Sequence, residues 1–441
     1  MNHHPLYKLV LGTIINPLND KHCTVISKGG LVLKRGKNAE YKVCLIGSEK
    51  EAESYVQRSK DVERIKLQGH ALIPGFFDMH FHWVQDDVRL MPKDNLLNWL
   101  SQYTWPYEHK FQSKTYSKMR AKQFSKELLE VGTLGGAVYA SIHPHSVTHA
   151  LENFIGEFIV GNVLMTMNSP DYLTLSEKKS LDSVKELASE WKAKYCLTPR
   201  FAPTTSPRVM KEGRKISKGH KSFVQTHLSE TENEIEYVLS LYKNIENFED
   251  VDSYLEIYDR CGLLSKKTIM GHAIHLRDKE WKRMAQTQTA IAHCPTSNAP
   301  HKELGLGSGL FDFKKADRLK IPWALATDIG GGPFLSMIDV MRSFVDQNKK
   351  AKVNGATWTR ALYRSTLAGA EILGLDKKHG NLNIGKFANF LVLPLPKQSD
   401  KISKREELLE KMFHRKLTDR ESYSSLVKQT WYKGHMVFSK N

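Results

Sequence analysis

The stretch ALIPGFFDMHFH (residues 71–82) decides how the chain is read. It is a short apolar run, punctuated by Pro74 and Gly75 and closed by two histidines spaced two apart. Residues i and i+2 of a strand point to the same face, so His80 and His82 present two imidazoles side by side at a strand end. Two inward imidazoles without partners are costly buried polar groups; a shared metal ion removes that cost. Seven further apolar runs follow: TLGGAVYAS (133–141), FIVGNVLMTM (158–167), KYCLTPRF (194–201), SFVQTHLSE (222–230), TIMGHAI (268–274), TAIAHC (289–294) and PWALATD (322–328). Amphipathic stretches such as SKMRAKQFSKELLEVG (117–132) and DSVKELASEWKA (182–193) lie between most of them. In the second stretch Val184, Leu187 and Trp191 recur at helical spacing. Strand alternating with helix predicts parallel β–α units. Eight such units predict an α/β fold built on a closed (β/α)8 barrel of the TIM type.

Working outward, residues 1–70 read as short strands: YKLVLGTII, CTVI, GLVLKRG and YKVCLIGS, separated by polar and glycine-containing turns. Beyond the helical TWTRALYRSTLAGAEILGL, strand-like runs return as NFLVLP and TWYKGHMVF, split by the charged helix KISKREELLEKMF. The economical architecture is a catalytic barrel over residues 71–383 and a small composite β-sandwich domain formed by residues 1–70 and 384–441.

Composition narrows the class. Of 441 residues, 40% are hydrophobic and 26% charged, which excludes a disordered, collagen-like or disulfide-stapled chain. The five cysteines (Cys23, Cys44, Cys196, Cys261, Cys294) contain no C-x-x-C pair. They form neither a disulfide framework nor a four-cysteine zinc cage, and a reducing, cytoplasmic setting is the simpler reading. The N-terminal apolar stretch is broken by Lys8, Gly12 and Pro17, so it reads as a strand and not as a signal peptide. No run approaches a membrane span. The net charge of +17 raises the question of an acidic partner. The basic groups are scattered, however; the densest, KEGRKISKGHK (211–221), falls where an outer helix would lie. No nucleic-acid-binding motif accompanies them, and neither a nucleic acid nor a membrane is expected as a partner.

Polar residues fall at the strand ends, where the active site of such a barrel sits. After His80 and His82 these are Arg200, His227, His272, His293 and Asp328. Three histidines and one aspartate suit a catalytic divalent metal, since zinc takes imidazole nitrogen and carboxylate oxygen and keeps a place for water. Glu230, three past His227, can carry protons between that water and a substrate nitrogen. His272 ends its apolar run and is preferred over His275. Asp328 taken alone could be a turn residue, and Arg200 a structural ion-pair partner. His293 and His143 read as structural or supporting, and Cys294 as a buried thiol.

At these positions the chain resembles the guanine deaminases of the amidohydrolase superfamily, over nearly its whole length. PGFFDMHFH (74–82), LLNWLSQYTWPYEHKF (96–111), TPRF (198–201), HLSE (227–230), MGHAIHL (270–276), AHCPTSN (292–298) and TDIGGGPFLSM (327–337) bear the likeness. The resemblance implies one Zn2+ per chain, with Fe2+ as the other candidate, held by His80, His82, His227 and Asp328. It implies that His272 hydrogen-bonds the attacking water or the substrate, and that Glu230 shuttles protons with Asp328. It also implies that Gln85 binds the purine edge, and that Arg200 binds the ring carbonyl with Phe201 beside it. His82, His227, Glu230 and Asp328 would face the substrate as well, and Trp83, Trp105 or Phe201 would stack on it. The substrate would be guanine, turned to xanthine and ammonia, and the assembly a homodimer. Trp83, the Asp86–Asp87 pair and the TLGGA glycines depart from the family pattern. Three alternatives stay open at this point. One is an aminohydrolase for a related heterocycle such as 8-oxoguanine, a pterin or a triazine; the others are a non-catalytic barrel scaffold and a nucleic-acid-binding protein.

Overall fold

The computed structural model describes residues 4–414 and 426–440. The chain opens with β1 (Tyr7–Pro17), β2 (Cys23–Arg35), β3 (Tyr41–Ser48) and β4 (Val62–Pro74). It continues through β5 (Phe76–His82), β6 (Thr133–Ala140), β7 (Glu157–Leu164), β8 (Cys196–Pro199), β9 (Phe223–Leu228), β10 (Thr268–His272), β11 (Ala290–His293) and β12 (Trp323–Leu325). It ends with β13 (Phe390–Pro394), β14 (Gln429–Tyr432) and β15 (His435–Ser439). By compactness the chain divides into one unit of residues 1–77, 126–135 and 336–441 and another of residues 78–125 and 136–335. No helix among the described residues is long and apolar enough to cross a membrane.

Strands β5 to β12 stand side by side in sequence order in one eight-stranded sheet, with parallel pairing. Each of the eight predicted runs supplies one strand. β5 and β6 are buried at every residue, as expected of strands covered on both faces. The sheet curls into a near-closed barrel, and its two ends are tied together. Asp328 N–H donates to the His80 carbonyl at 2.8 Å, and His82 N–H donates to the Ile329 carbonyl. Below them the fully buried Asp78 accepts from Thr327 N–H at 3.0 Å and from the Thr327 hydroxyl. Burial pushes the Asp78 carboxyl up to about 7 against these bonds.

The run that opened the sequence reading splits in two. Residues 71–74 belong to β4, and only Phe76–His82 enter the barrel. The break falls at Pro74 and Gly75. Proline cannot donate to a ladder, and a Cβ on Gly75 would come within 2.6 Å of the Leu134 side chain.

The terminal strands build one seven-stranded mixed sheet, ordered β15-β14-β13-β4-β1-β2-β3. Only β1 and β4 pair in parallel; the rest are antiparallel. The period of two in β1 assigns its faces. Leu9 and Leu11 pack with Ala52 and Val56 of the helix Glu49–Val56. Val10 and Ile14 join Leu31, Leu33, Phe390 and Trp431 on the other side.

Gly136 in β6 has φ 147°, and a Cβ there would lie 1.7 Å from the Asp78 carbonyl oxygen. No rotamer relieves a backbone clash of that size. Gly136→Ala is therefore expected to destabilise the protein by about 3 kcal/mol or more, read as a lowered midpoint in urea unfolding. An unchanged midpoint would mean that β5 and β6 are not as closely apposed as described.

Candidate active site

The site is assembled where β5, β8, β9, β10 and β12 end. Three of the residues at these ends leave the ordinary backbone regions. Ser229, His272 and Asp328 have φ of 49°, 68° and 53°, conformations that cost non-glycine residues energy and that cluster at functional sites. Asp328 is thereby turned back over the strand ends. Its Oδ1 lies 3.2 Å from His80 Nε2 and 3.8 Å from His82 Nε2, and its Oδ2 lies 3.9 Å from His272 Nε2. His227 Nε2 is 3.1 Å from His82 Nε2. One ligand atom from each of His80, His82, His227 and Asp328 falls within 4.8 Å of the others.

The donor chemistry of this cluster fits a divalent cation. Burial drives the pKa of His80, His227 and His272 down to about 3 and that of His82 well below its usual value, so all four rings are neutral at physiological pH. The Arg200 carbonyl lies 2.6 Å from His227 Nδ1. A carbonyl only accepts, so Nδ1 bears the proton and Nε2 turns a lone pair toward the cluster. His80 Nδ1 and Nε2, His82 Nδ1 and His272 Nε2 are buried without a hydrogen-bond partner among the described residues. Neutral imidazoles and a carboxylate form the set that zinc or iron(II) prefers. Cys294 also offers its sulfur near His80 and His272. Burial pushes this thiol up, and it lies 3.5 Å from the Ala292 carbonyl.

Glu230 is placed by the helix that follows it. Thr231 and Glu234 form a capping box at the N-terminus of Glu232–Tyr242, and the Glu230 N–H donates to Glu234 Oε2 at 2.8 Å. The Glu230 Oε1 accepts from Asn298 Nδ2 at 3.1 Å and from the Ser308 hydroxyl at 3.3 Å. Burial, followed by the nearby Asp328 and Glu234 charges, raises its pKa well above that of a solvated glutamate. Asn298 Nδ2 also reaches His272 Nδ1 at 3.2 Å. An amide nitrogen only donates, so His272 Nε2 is left as that ring's proton donor.

Above the cluster opens a pocket lined by His82, Gln85, Arg200, Phe201, His227, Glu230, His272 and Asp328, each a residue singled out from the sequence. Its remaining wall is Leu96, Trp99, Leu100, Glu234, Leu306 and Gly331. Trp83 is placed elsewhere. Its indole is buried against Phe111 and Phe154, with ring centroids 5.0 and 5.8 Å away, and it does not line the pocket. The reason is alternation: Trp83 follows His82, so its side chain leaves the other face of the strand end. Trp105 packs beside Tyr139 and Ile142 and does not line the pocket either. The aromatic wall is instead Trp99 with Phe201. Asp86 and Asp87 also turn away, pairing with Arg120 at 3.3 and 2.9 Å. His293 packs against Phe311 with its ring tilted by 32°, and His143 stacks on His145.

The sequence reading missed Glu108, Asn298, Trp99 and Leu306. Glu108 had a signal. Leu100, Thr104, Glu108 and Phe111 follow one helical stripe, and all four are buried, so a carboxylate sits where an apolar residue belongs.

Eight parallel strands with a buried imidazole–carboxylate cluster at their C-terminal mouth define a metal-site barrel of the hydrolase kind. The amidohydrolase family model matches residues 71–437. Guanine deaminase of Escherichia coli (strain K12) is 34% identical over 432 residues, spanning 94% of this chain and 92% of that protein. The solved structure of the E. coli guanine deaminase superposes with a TM-score of 0.85 at 31% identity, covering 99% of both chains. That of the C. acetobutylicum guanine deaminase with guanine bound in its active site gives 0.83 at 27% identity, covering 98% of this chain and 100% of that one. The chain belongs to the amidohydrolase family and, within it, to the guanine deaminases.

Purified protein is expected to contain roughly one equivalent of divalent metal per chain. His227→Gln should bring this below roughly a fifth of an equivalent while the protein stays folded. Elemental analysis beside circular dichroism checks both; full metal retention in the variant would remove His227 from the ligand set.

Proposed function

We infer that the chain hydrolyses guanine to xanthine and ammonia. The observation that supports this most is that a guanidinium and an amide, Arg200 and Gln85, share one pocket with the metal-type cluster and Glu230. Guanine is a flat, neutral base. Its ring carbonyl suits Arg200, which has only donors, and its mixed donor–acceptor edge suits the Gln85 amide. Phe201 and Trp99 offer flat faces to the ring. His80, His82, His227 and Asp328 would hold one zinc ion, with iron(II) as the second candidate. Such an ion makes a water nucleophile available at neutral pH.

The remaining work falls to the chain's own groups. Glu230 takes a proton from the attacking water and delivers it to the ring nitrogen beside C2. Its raised proton affinity suits a group that must hold a proton between two transfers. Asp328 shares that proton traffic, and His272 Nε2–H points its donor at the attacking oxygen. The second proton, from the hydroxyl now on C2, passes through these carboxylates to the exocyclic amine; the C2–N bond breaks, the C2 carbonyl forms, ammonia leaves, and Glu230 is again a carboxylate. The enzyme is proposed to act as a cytoplasmic homodimer in purine catabolism or salvage, with residues 71–383 as the catalytic barrel and residues 1–70 and 384–441 as the composite β-domain.

The test follows loss of guanine absorbance together with ammonia release. Glu230→Gln should lower kcat by about 10²- to 10⁴-fold. Adenine, which lacks the ring carbonyl, should be turned over at least about 10³-fold less efficiently. If guanine is inert while 8-oxoguanine, a pterin or a triazine turns over, the substrate reading is wrong.

A further inference from the structure

Behind the substrate wall lies a fully buried carboxylate that the chemistry above does not use. Glu108 has no solvent exposure and comes from the Trp105–His109 helix, directly after the π-helical turn Leu100–Thr104. Its Oε1 and Oε2 accept from Arg200 Nη1 at 2.9 and 2.8 Å, and its Oε1 accepts from Gln85 Nε2 at 2.6 Å. Gln85 Oε1 faces the Gly330 N–H at 3.4 Å. One carboxylate thus grips both groups that read the base.

We propose that Glu108 is a positioning residue that fixes the orientation and the charge of the base-recognition edge, and so makes the pocket selective for a neutral oxo-purine.

Donors and acceptors set the orientation. A glutamine amide turned by half a rotation exchanges its oxygen and nitrogen with little change of shape. With an ionised carboxylate 2.6 Å away, the turned amide would set oxygen against oxygen. Glu108 therefore holds Nε2 inward and leaves the Gln85 Oε1, which takes the Gly330 N–H on one lone pair, with a second lone pair to accept from a ring N–H. It also engages Nη1 of Arg200, leaving the other guanidinium nitrogens to donate to a carbonyl. Desolvation sets the charge. An unpaired guanidinium buried in the wall would draw in an anion to compensate. Paired with Glu108 it is a dipole: it donates hydrogen bonds to a neutral carbonyl and gains little from an anion.

This inference rests on the guanine reading, and the experiment separates the two. Metal-loaded wild type, Glu108→Gln and Glu108→Asp are compared by steady-state kinetics on guanine. Calorimetric binding of hypoxanthine, which keeps the neutral oxo edge, and of urate, an anion at neutral pH, is measured alongside. If wild type does not turn over guanine, the functional reading fails, whatever the variants do. Given wild-type turnover, Glu108→Gln should raise KM for guanine at least about tenfold with kcat within about threefold. Its affinity for urate relative to hypoxanthine should rise at least about fivefold. Glu108→Asp keeps the charge at a shorter reach, so it should raise KM less and leave the urate-to-hypoxanthine ratio at the wild-type value. This second variant also decides the matter if the first fails to fold. The proposal is overturned if KM and the binding ratio are unchanged in Glu108→Gln. It is equally overturned if kcat falls together with metal content, or if Glu108→Asp shifts the binding ratio.

Discussion

Four imidazoles are packed around one carboxylate at the floor of the pocket, and burial holds every one of those rings neutral. A protein core does not keep such a cluster for stability, because buried nitrogens without partners cost desolvation energy and return nothing. The cost is recovered when a cation shares the lone pairs of His80, His82 and His227, and much of the barrel serves that arrangement. Asp78 and Thr327 tie the first strand to the last directly beneath it. The Arg200 carbonyl fixes the His227 tautomer. Left-handed backbone at His272 and Asp328 turns the chain where these side chains leave their strands.

The charges that matter are local and mostly cancelled. Arg200 is neutralised by Glu108, and Arg120 by the Asp86–Asp87 pair. The excess of +17 is scattered along the sequence. The most basic stretch lies largely on the helix Pro207–Gly219, which buries Val209, Met210, Gly213 and Ser217 and exposes Lys211 and Lys218 to solvent. That is an amphipathic helix with a solvated face.

Most of the fold was legible because parallel barrel strands are short apolar runs, and polar residues that end them stand out. His80, His227, His272 and Asp328 were visible for that reason. What escaped the reading came from segments without strand or heptad rhythm. Trp83 looked like a stacking residue because it sits beside the histidines, but alternation along the strand end sends it into the Phe111 and Phe154 cluster. Glu108 lies in Trp105–His109, the third of four consecutive short helical pieces with Leu96–Trp99, Leu100–Thr104 and Lys110–Gln112. The stripe of Leu100, Thr104, Glu108 and Phe111 begins in the π-helical turn, where the helical phase shifts, so its period is weaker than that of an unbroken helix. Asn298 and Leu306 come from loops, whose conformation depends on tertiary partners and not on local pattern.

The most direct test is a crystal of the zinc-loaded protein with hypoxanthine bound, measured on both sides of the zinc absorption edge. The account predicts one anomalous peak per chain bounded by His80, His82, His227 and Asp328. The hypoxanthine carbonyl should lie on Arg200, and its ring N–H on Gln85 Oε1. A peak held by other residues, or a purine whose carbonyl points away from Arg200, would contradict it.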